Sequence, residues 1–381
     1  MTRMASRRIQ RLGVDPEVTE RLRKHGVLTC QHILSKSRME LLRLTALSDI
    51  KVKGLLLQAS KAAMPEHITA LDLYERPDKE CPVFFPSSLL KLDALLHGGF
   101  PTGTISEIAG PPGCGKTQFC IMLSVLATLP RELGGLNGGV VYIDTESAFS
   151  AERLVEVARH RFPGHFSREE AFISLTSRVH LYLESTCHSL LTRLEHLEEE
   201  LISKGIRLII LDSVASLVRK EFDNLLSGNL IERTNLLSKE AAILKYLAET
   251  FSIPVVVTNQ ITTRINQPSS HASMLSVNTG AAIVEGEGSY VTAALGNTWS
   301  HNVNTRLILQ FLDEHRRQIM IAKSPIAPFA TLVYTIQDKG IVLEDDGMDP
   351  LLVRGTDPGL QQIRVRTSIS HAIPGEMWSH Q

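Results

Sequence analysis

The chain has 381 residues, 43% apolar, 21% charged and 5% aromatic, with a formal net charge of -1, which excludes a largely disordered protein and fits one large or two unequal globular domains. Its longest mostly apolar run, Phe119 to Leu129, is about half the ~20 residues that a bilayer-spanning helix needs, so no such helix and no membrane partner are expected. Five cysteines, Cys30, Cys81, Cys114, Cys120 and Cys187, lie scattered without a CxxC pair and read as reduced thiols rather than a zinc or disulfide framework.

Residues 1–70 carry thirteen Lys and Arg against six Asp and Glu, a net +7 that leaves about -8 for the rest and points to a polyanion-facing head on an acidic body. Met1 to Val14 holds four arginines and no acid, a pattern shared by mitochondrial leaders and by helical domains that face nucleic acid. Apolar positions Val18, Leu22, Val27, Ile33, Met39, Leu42, Leu47, Val52 and Leu55 recur at helical spacing, and Gly26, Thr29 and Ser48 break them into short helices. A small helical domain over 1–64 is therefore expected. Pro65, Pro77 and Pro82 mark a linker over 65–84.

From residue 85 to 344 the chain alternates short apolar β-branched runs with amphipathic ones. Thr104–Ile108, Val140–Asp144, Val179–Leu183, Arg207–Asp212 and Pro254–Gln260 read as strands buried on both faces. Lys116–Leu129, Ala151–His160, Thr186–Ser203 and Glu232–Thr250 read as helices, the third with a leucine stripe of Leu190, Leu194, Leu197 and Leu201 directed at a core. The pattern predicts an α/β core with a mostly parallel sheet flanked by helices. Ile261 to Leu295 has little periodicity and is expected to be a functional loop. Four short alternating runs, Thr305–Leu312, Gln318–Lys323, Leu332–Gln337 and Gly340–Leu343, predict an antiparallel meander, with a loosely ordered tail over 345–381.

Chemistry enters at Gly110-Pro-Pro-Gly-Cys-Gly-Lys-Thr117, a GxxxxGK[ST] sequence between a predicted strand and a predicted helix. Gly110, Gly113 and Gly115 let successive backbone N–H groups turn toward phosphate oxygens, and the helix adds its positive end. Lys116 would face the β- and γ-phosphates, Thr117 would ligate Mg2+, and Asp212, closing the apolar run Leu208–Leu211, would supply the second magnesium carboxylate. Cys114 reads as a small filler. Asp144 and Glu146 both stand at the end of the next strand, and spacing alone leaves open which of them polarises water.

Taken together, the phosphate loop, Val140-Val-Tyr-Ile-Asp-Thr-Glu146, Leu211-Asp-Ser-Val-Ala-Ser216, Val257-Thr-Asn-Gln260 and Leu295-Gly-Asn-Thr-Trp299 resemble the RecA-like strand-exchange ATPases of the eukaryotic branch. The likeness spans about residues 85 to 344, and finer strings at Pro112–Cys120, Ser147–Arg153 and Ile321–Pro328 look most like the branch's B-type recombinase paralogues. The resemblance implies a RecA-like P-loop ATPase core behind an all-helical N-terminal domain. It implies an ATP and Mg2+ site touching Gly110, Pro111, Pro112, Gly113, Cys114, Gly115, Lys116, Thr117 and Gln118. It also implies Glu146 as the water-activating carboxylate, Gln260 as γ-phosphate sensor and Arg153 as a guanidinium stacked on adenine. Residues near Glu221 to Glu232 and Ile261 to Leu295 match the family's two DNA-binding loops.

With the family come expected partners, single- and double-stranded DNA and the recombinase filament, and an expected setting, homologous recombination and double-strand-break repair in the nucleus. The linker lacks the Phe-x-x-Ala pattern with which recombinase subunits polymerise, so defined complexes with sister paralogues, the C-type first, are expected over homofilaments. Ala46 stands where the family's head has a DNA-gripping glycine, and its Cβ is expected to hinder the left-handed backbone. The second loop holds one arginine, Arg264, against two acids, Glu285 and Glu287, a net -1, so contact there would rest on backbone or on wedges such as Met274 and Tyr290. Lys323 could reach a neighbour's γ-phosphate or simply be a surface lysine. An ATP-gated scaffold without turnover and a helicase-type motor remain alternatives, the latter with Arg306, Arg316 or Arg317 as a finger acting across subunits.

Overall fold

A computed structural model describes residues 9, 12–64, 69–71, 83–222, 229–265, 289–293 and 295–344. Two compact units divide the chain, residues 1–81 with the short stretch Glu249–Ser252, and the remainder. The expected tail and most of the expected linker lie outside the described residues.

The first unit is helical. It holds helices α1 (Pro16–Lys24), α2 (Cys30–Leu34), α3 (Arg38–Thr45) and α4 (Asp49–Ala63), of which the first three start where hydroxyl or carboxylate side chains accept free N–H groups. Asp15 accepts from Glu17, Thr29 from His32, and Ser37 and Glu40 close a reciprocal capping box, each such cap contributing about 1 kcal/mol. Leu22, Cys30, Ile33, Leu41, Val52 and Ala59 are wholly buried between them. One expectation is corrected here. Ala46 ends α3 at φ 55°, ψ 26°, so the left-handed backbone is adopted despite the Cβ, because Ala46 N still reaches Leu42 O over 3.0 Å and closes the helix.

The second unit opens with β1 (Phe84–Phe85), α5 (Leu90–Leu95) and β2 (Phe100–Pro101), followed by β3 (Ile105–Ala109) and α6 (Lys116–Thr128). Next come β4 (Gly139–Asp144), α7 (Ala151–Arg161), α8 (Glu169–Arg178), β5 (Val179–Leu183), α9 (Cys187–Ser203) and β6 (Ile206–Asp212). Then follow α10 (Val214–Phe222), α11 (Asn229–Phe251), β7 (Val255–Asn259), β8 (Ile261–Ile265), β9 (Ser289–Ala293), α12 (Gly296–Asn302), β10 (Thr305–Phe311), β11 (Arg317–Lys323), β12 (Thr331–Gln337) and β13 (Gly340–Leu343). One nine-stranded sheet runs in the order β13-β12-β11-β10-β3-β7-β6-β4-β5, parallel from β10 to β5 and antiparallel from β10 to β13. The meander is therefore as expected. Every residue of β3, β4 and β7 is buried, which explains why these strands are mostly apolar, with Ser106, Glu107, Asp144, Thr258 and Asn259 as buried polar exceptions.

Three differences from the sequence reading have physical causes. Strand β5 is not buried on both faces: it has one neighbour, β4, and Leu181 and Leu183 are exposed, so β-branched and aromatic content identified a strand without identifying an edge. The segment 261–295 is not wholly irregular, since β8 and β9 pair antiparallel at its two ends with Arg264 opposite Tyr290. Residues 266–288, including Met274, Glu285 and Glu287, lie outside the described residues. Within 221–232 the described parts are helical, ending α10 and beginning α11, with 223–228 outside them. The leucine stripe of α9 is buried at all four positions, and among the described residues no helix is long and apolar enough to cross a membrane.

Candidate functional site

The site lies at the C-terminal ends of β3, β7, β6 and β4, where parallel strands leave a crevice. Strand β3 runs into the phosphate loop, and α6 begins at Lys116 with Gly115 before it at φ 94°. Gly113 also has a positive φ, 79°, a region that favours glycine. At Gly110 the constraint is space, because a Cβ would lie 2.6 Å from the Leu309 carbonyl oxygen of β10. Tyr334 of β12 ties the loop from outside, donating its hydroxyl to Cys114 O over 2.5 Å. The Cys114 thiol is buried, and burial pushes it up to about 11. It is thus the filler expected, and any contact it makes with a ligand is through its backbone.

Lys116 Nζ donates to Gly110 O over 3.0 Å and to Pro111 O over 3.1 Å, and burial lowers its pKa. An ammonium resting on its own loop's carbonyls, in a cradle with no room for a Cβ, is suited to receive an anion. Thr117 Oγ1 donates to Asp212 Oδ2 over 2.8 Å, joining the loop to the end of β6. Asp212 also accepts from Tyr142 Oη over 2.7 Å and from Thr258 Oγ1 over 2.5 Å. Burial nevertheless raises its pKa, and the three hydroxyls oppose that shift. Among the described residues no group of three or more His, Cys, Asp or Glu gathers for a metal. One hydroxyl and one carboxylate side by side fit Mg2+, which takes few protein ligands and completes its shell from water and phosphate.

The two acids of the β4 turn have different jobs. Asp144 is buried, pairs in register with Asp212, and accepts the N–H groups of Glu146 and Phe149, both over 2.9 Å, so it builds the turn. Glu146 is exposed at the crevice and accepts from Ser213 Oγ over 2.7 Å and from Gln260 Nε2 over 3.1 Å. Gln260 follows the last residue of β7, and its Oε1 accepts from Arg219 of α10. Lys116, Thr117, Asp212, Glu146 and Gln260 are thus brought to one edge of the sheet. Arg153 joins Gln118 to the β12–β13 turn: Nε donates to Gln118 Oε1 over 2.7 Å, and the terminal nitrogens reach Gln337 O, Asp338 O and Glu156. These bonds hold the guanidinium in place.

Sequence reasoning missed Tyr142, Thr258, Ser213 and Arg219. Tyr142 and Thr258 had a signal, a hydroxyl inside an otherwise apolar strand. Arg219 had none, because its partner is 41 residues away. The finger candidates are not solvated alike. Arg306 is buried against Glu107 and donates to Ser300 Oγ, Arg316 pairs with Asp313, and Arg317 lies over the Phe311 ring. Lys323 is an exposed surface lysine whose ammonium donates to Ser300 O over 2.9 Å and Val303 O over 2.6 Å, at the end of α12.

Sheet order, phosphate loop and the strand-end carboxylates together define a RecA-like P-loop ATPase domain. A family model described as Rad51 matches residues 86–345, and a model described as XRCC3/RpoA-like, helix-hairpin-helix domain matches residues 9–63. The chain is 56% identical over 346 residues to DNA repair protein RAD51 homolog 2 of Homo sapiens, covering 90% of each chain. To the protein of that name from Mus musculus it is 55% identical, covering 90% of this chain and 99% of the other. With Meiotic recombination protein DMC1 of Saccharomyces cerevisiae it shares 32% identity over 89% of this chain and 94% of the other. The chain belongs to the Rad51 family.

Proposed function

We propose that the protein is a Mg-ATP-dependent, DNA-binding ATPase of homologous recombination and double-strand-break repair, acting in the nucleus within a recombinase-paralogue complex that promotes recombinase filament assembly. Its partners in this reading are single- and double-stranded DNA, the filament, and sister paralogues with the C-type as direct neighbour. The relatives named as DNA repair proteins support the process. The observation that carries the activity is the joining of Glu146 to Gln260 beside the Thr117–Asp212 pair.

Each residue has a task in this reading. Backbone N–H groups of Gly113 to Thr117 and the Lys116 ammonium hold phosphate oxygens, with Pro111, Pro112 and Gln118 lining the same loop. Thr117 and Asp212 hold Mg2+, which when bound would neutralise phosphate charge. Arg153 lies against the base. Glu146 accepts a proton from water, and Gln260 both steadies Glu146 and responds to the γ-phosphate. Because Gln260 abuts β8, a shift there is transmitted to the hairpin that brackets the second DNA loop.

The test separates binding from turnover. Lys116→Ala is expected to lose nucleotide binding and all ATP-dependent function, whereas Glu146→Gln should keep binding while turnover falls by roughly 10²- to 10⁴-fold. Equilibrium dialysis with labelled ATP and single-turnover phosphate release, with and without single-stranded DNA, read the two. Full hydrolysis by either variant contradicts the proposal.

A further inference from the structure

Glu107 lies on β3, wholly buried, three residues before the phosphate loop. Side chains from three other elements converge on its carboxylate. Asn259 Nδ2 donates to Oε1 over 2.6 Å, Trp299 Nε1 donates to the same oxygen over 2.9 Å, and Arg306 Nε donates to Oε2. Arg306 continues to Ser300 Oγ over 3.0 Å. A carboxylate this deep is tolerated only with such partners.

What singles out this cluster is where its donors stand in the chain. Asn259 is the last residue of β7, directly before Gln260 and β8. Trp299 and Ser300 belong to α12, which begins three residues after β9 ends. Both feet of the 261–295 segment therefore rest on one carboxylate, and one foot adjoins the residue that touches Glu146. The cluster also has unused bonding capacity, because Arg306 Nη2 is buried without a hydrogen-bond partner. Buried polar groups are rarely left so, which makes a second arrangement of the same network available.

We infer that Glu107 is a positioning residue that couples the nucleotide site to the 261–295 segment, passing a displacement of Gln260 and Asn259 to Trp299 and α12. The inference rests on the nucleotide-binding reading above. It assigns Glu107 no contact with nucleotide and no part in proton transfer.

Trp299 is itself the reporter. The chain has two tryptophans, so in full-length Trp378→Phe protein the indole bonded to Glu107 is the single emitter. Titration with Mg-ATPγS is expected to change its emission with the midpoint that equilibrium dialysis gives for nucleotide binding, and to slow hydrogen exchange in peptides from 261–295. Adding Glu107→Gln should abolish both responses while the binding midpoint moves by less than about threefold, below the ~5-fold that marks an ordinary allosteric coupling. Trp299→Phe, which keeps the Glu107–Arg306 pair and removes one donor, should lessen the exchange response and guards against a misfolded Glu107 variant. If nucleotide binds and Trp299 emission does not move, or if the Glu107 variant keeps the whole response, the inference is overturned and the proposed function stands. If dialysis finds no nucleotide bound to the parent protein, both fall.

Discussion

Gln260 directs its side-chain amide at Glu146, donating from Nε2 to Oε1 over 3.1 Å, and is held that way round because its own oxygen accepts from Arg219. A glutamine amide has an acceptor at one end and a donor at the other, and a guanidinium offers only donors, so Arg219 decides which end turns toward Glu146. The bond thereby joins the β4 turn to the exit of β7 and to the helix that enters residues 223–228.

Removing this amide should divide affinity from rate. Gln260→Leu leaves the phosphate loop and the Thr117–Asp212 pair intact, so the nucleotide dissociation constant is expected to stay within about threefold, while DNA-stimulated turnover falls roughly 10- to 100-fold. Stopped-flow binding and phosphate release measure the two, and equal losses in both would contradict the assignment.

Acid should weaken metal-dependent binding earlier than an ordinary aspartate would allow. Burial raises the Asp212 pKa, opposed first by the Thr258 hydroxyl. Protonation of Asp212 as pH falls removes a metal ligand, and a raised pKa moves that loss to higher pH. Thr258→Val takes away one donor to the charged form and should move the acid midpoint of Mg2+-dependent nucleotide binding further upward. A midpoint unchanged by Thr258→Val would exclude Asp212 as the titrating group.

Glu240 of α11 offers a stability test away from the site. It is wholly buried, neither oxygen has a hydrogen-bond partner, and burial, with Glu221 second, pushes its pKa up to about 8. The folded protein keeps a proton that the unfolded chain releases above about pH 4.5, so stability is lost as pH rises through that window toward about 8. The slope is at most about 1.4 kcal/mol per pH unit. Glu240→Gln should flatten it, and the gap between variant and parent melting temperatures should widen from pH 5 to pH 8. Parallel curves would show that Glu240 does not titrate in this range.

In the head, Ala46→Gly should be stabilising. The left-handed backbone at φ 55° costs an alanine about 1 kcal/mol, partly offset by the greater freedom of glycine in the unfolded chain. A net gain of roughly 0.5 kcal/mol is expected in the urea midpoint of the N-terminal transition. No gain would mean that the helix end relaxes differently in solution.

The local features of the site were legible in the sequence because each is written in consecutive residues. A glycine-rich turn between strand and helix, and an aspartate closing Leu208–Leu211, announce themselves through backbone chemistry and burial. Choosing Glu146 over Asp144 required the family resemblance, because the two N–H groups that Asp144 accepts are visible only once the turn is folded. What stayed hidden is long-range pairing. Arg306 looks like any arginine in a meander until Glu107, 199 residues earlier, is set beside it, and alternation in β5 does not say that its outer side lacks a neighbour. Helix α8 escaped notice because its Glu169–Arg178 stretch buries only Leu175, leaving no apolar stripe to read.

Lys323 carries a consequence for any multi-subunit form of this protein. Its ammonium spends two of its three N–H donors on the Ser300 and Val303 carbonyls at the end of α12, so one donor is left for an adjoining subunit while that helix end stays closed. An assembly that recruited this lysine through its remaining donor would keep α12 anchored, and only one that claimed a second donor would have to unfasten the helix end.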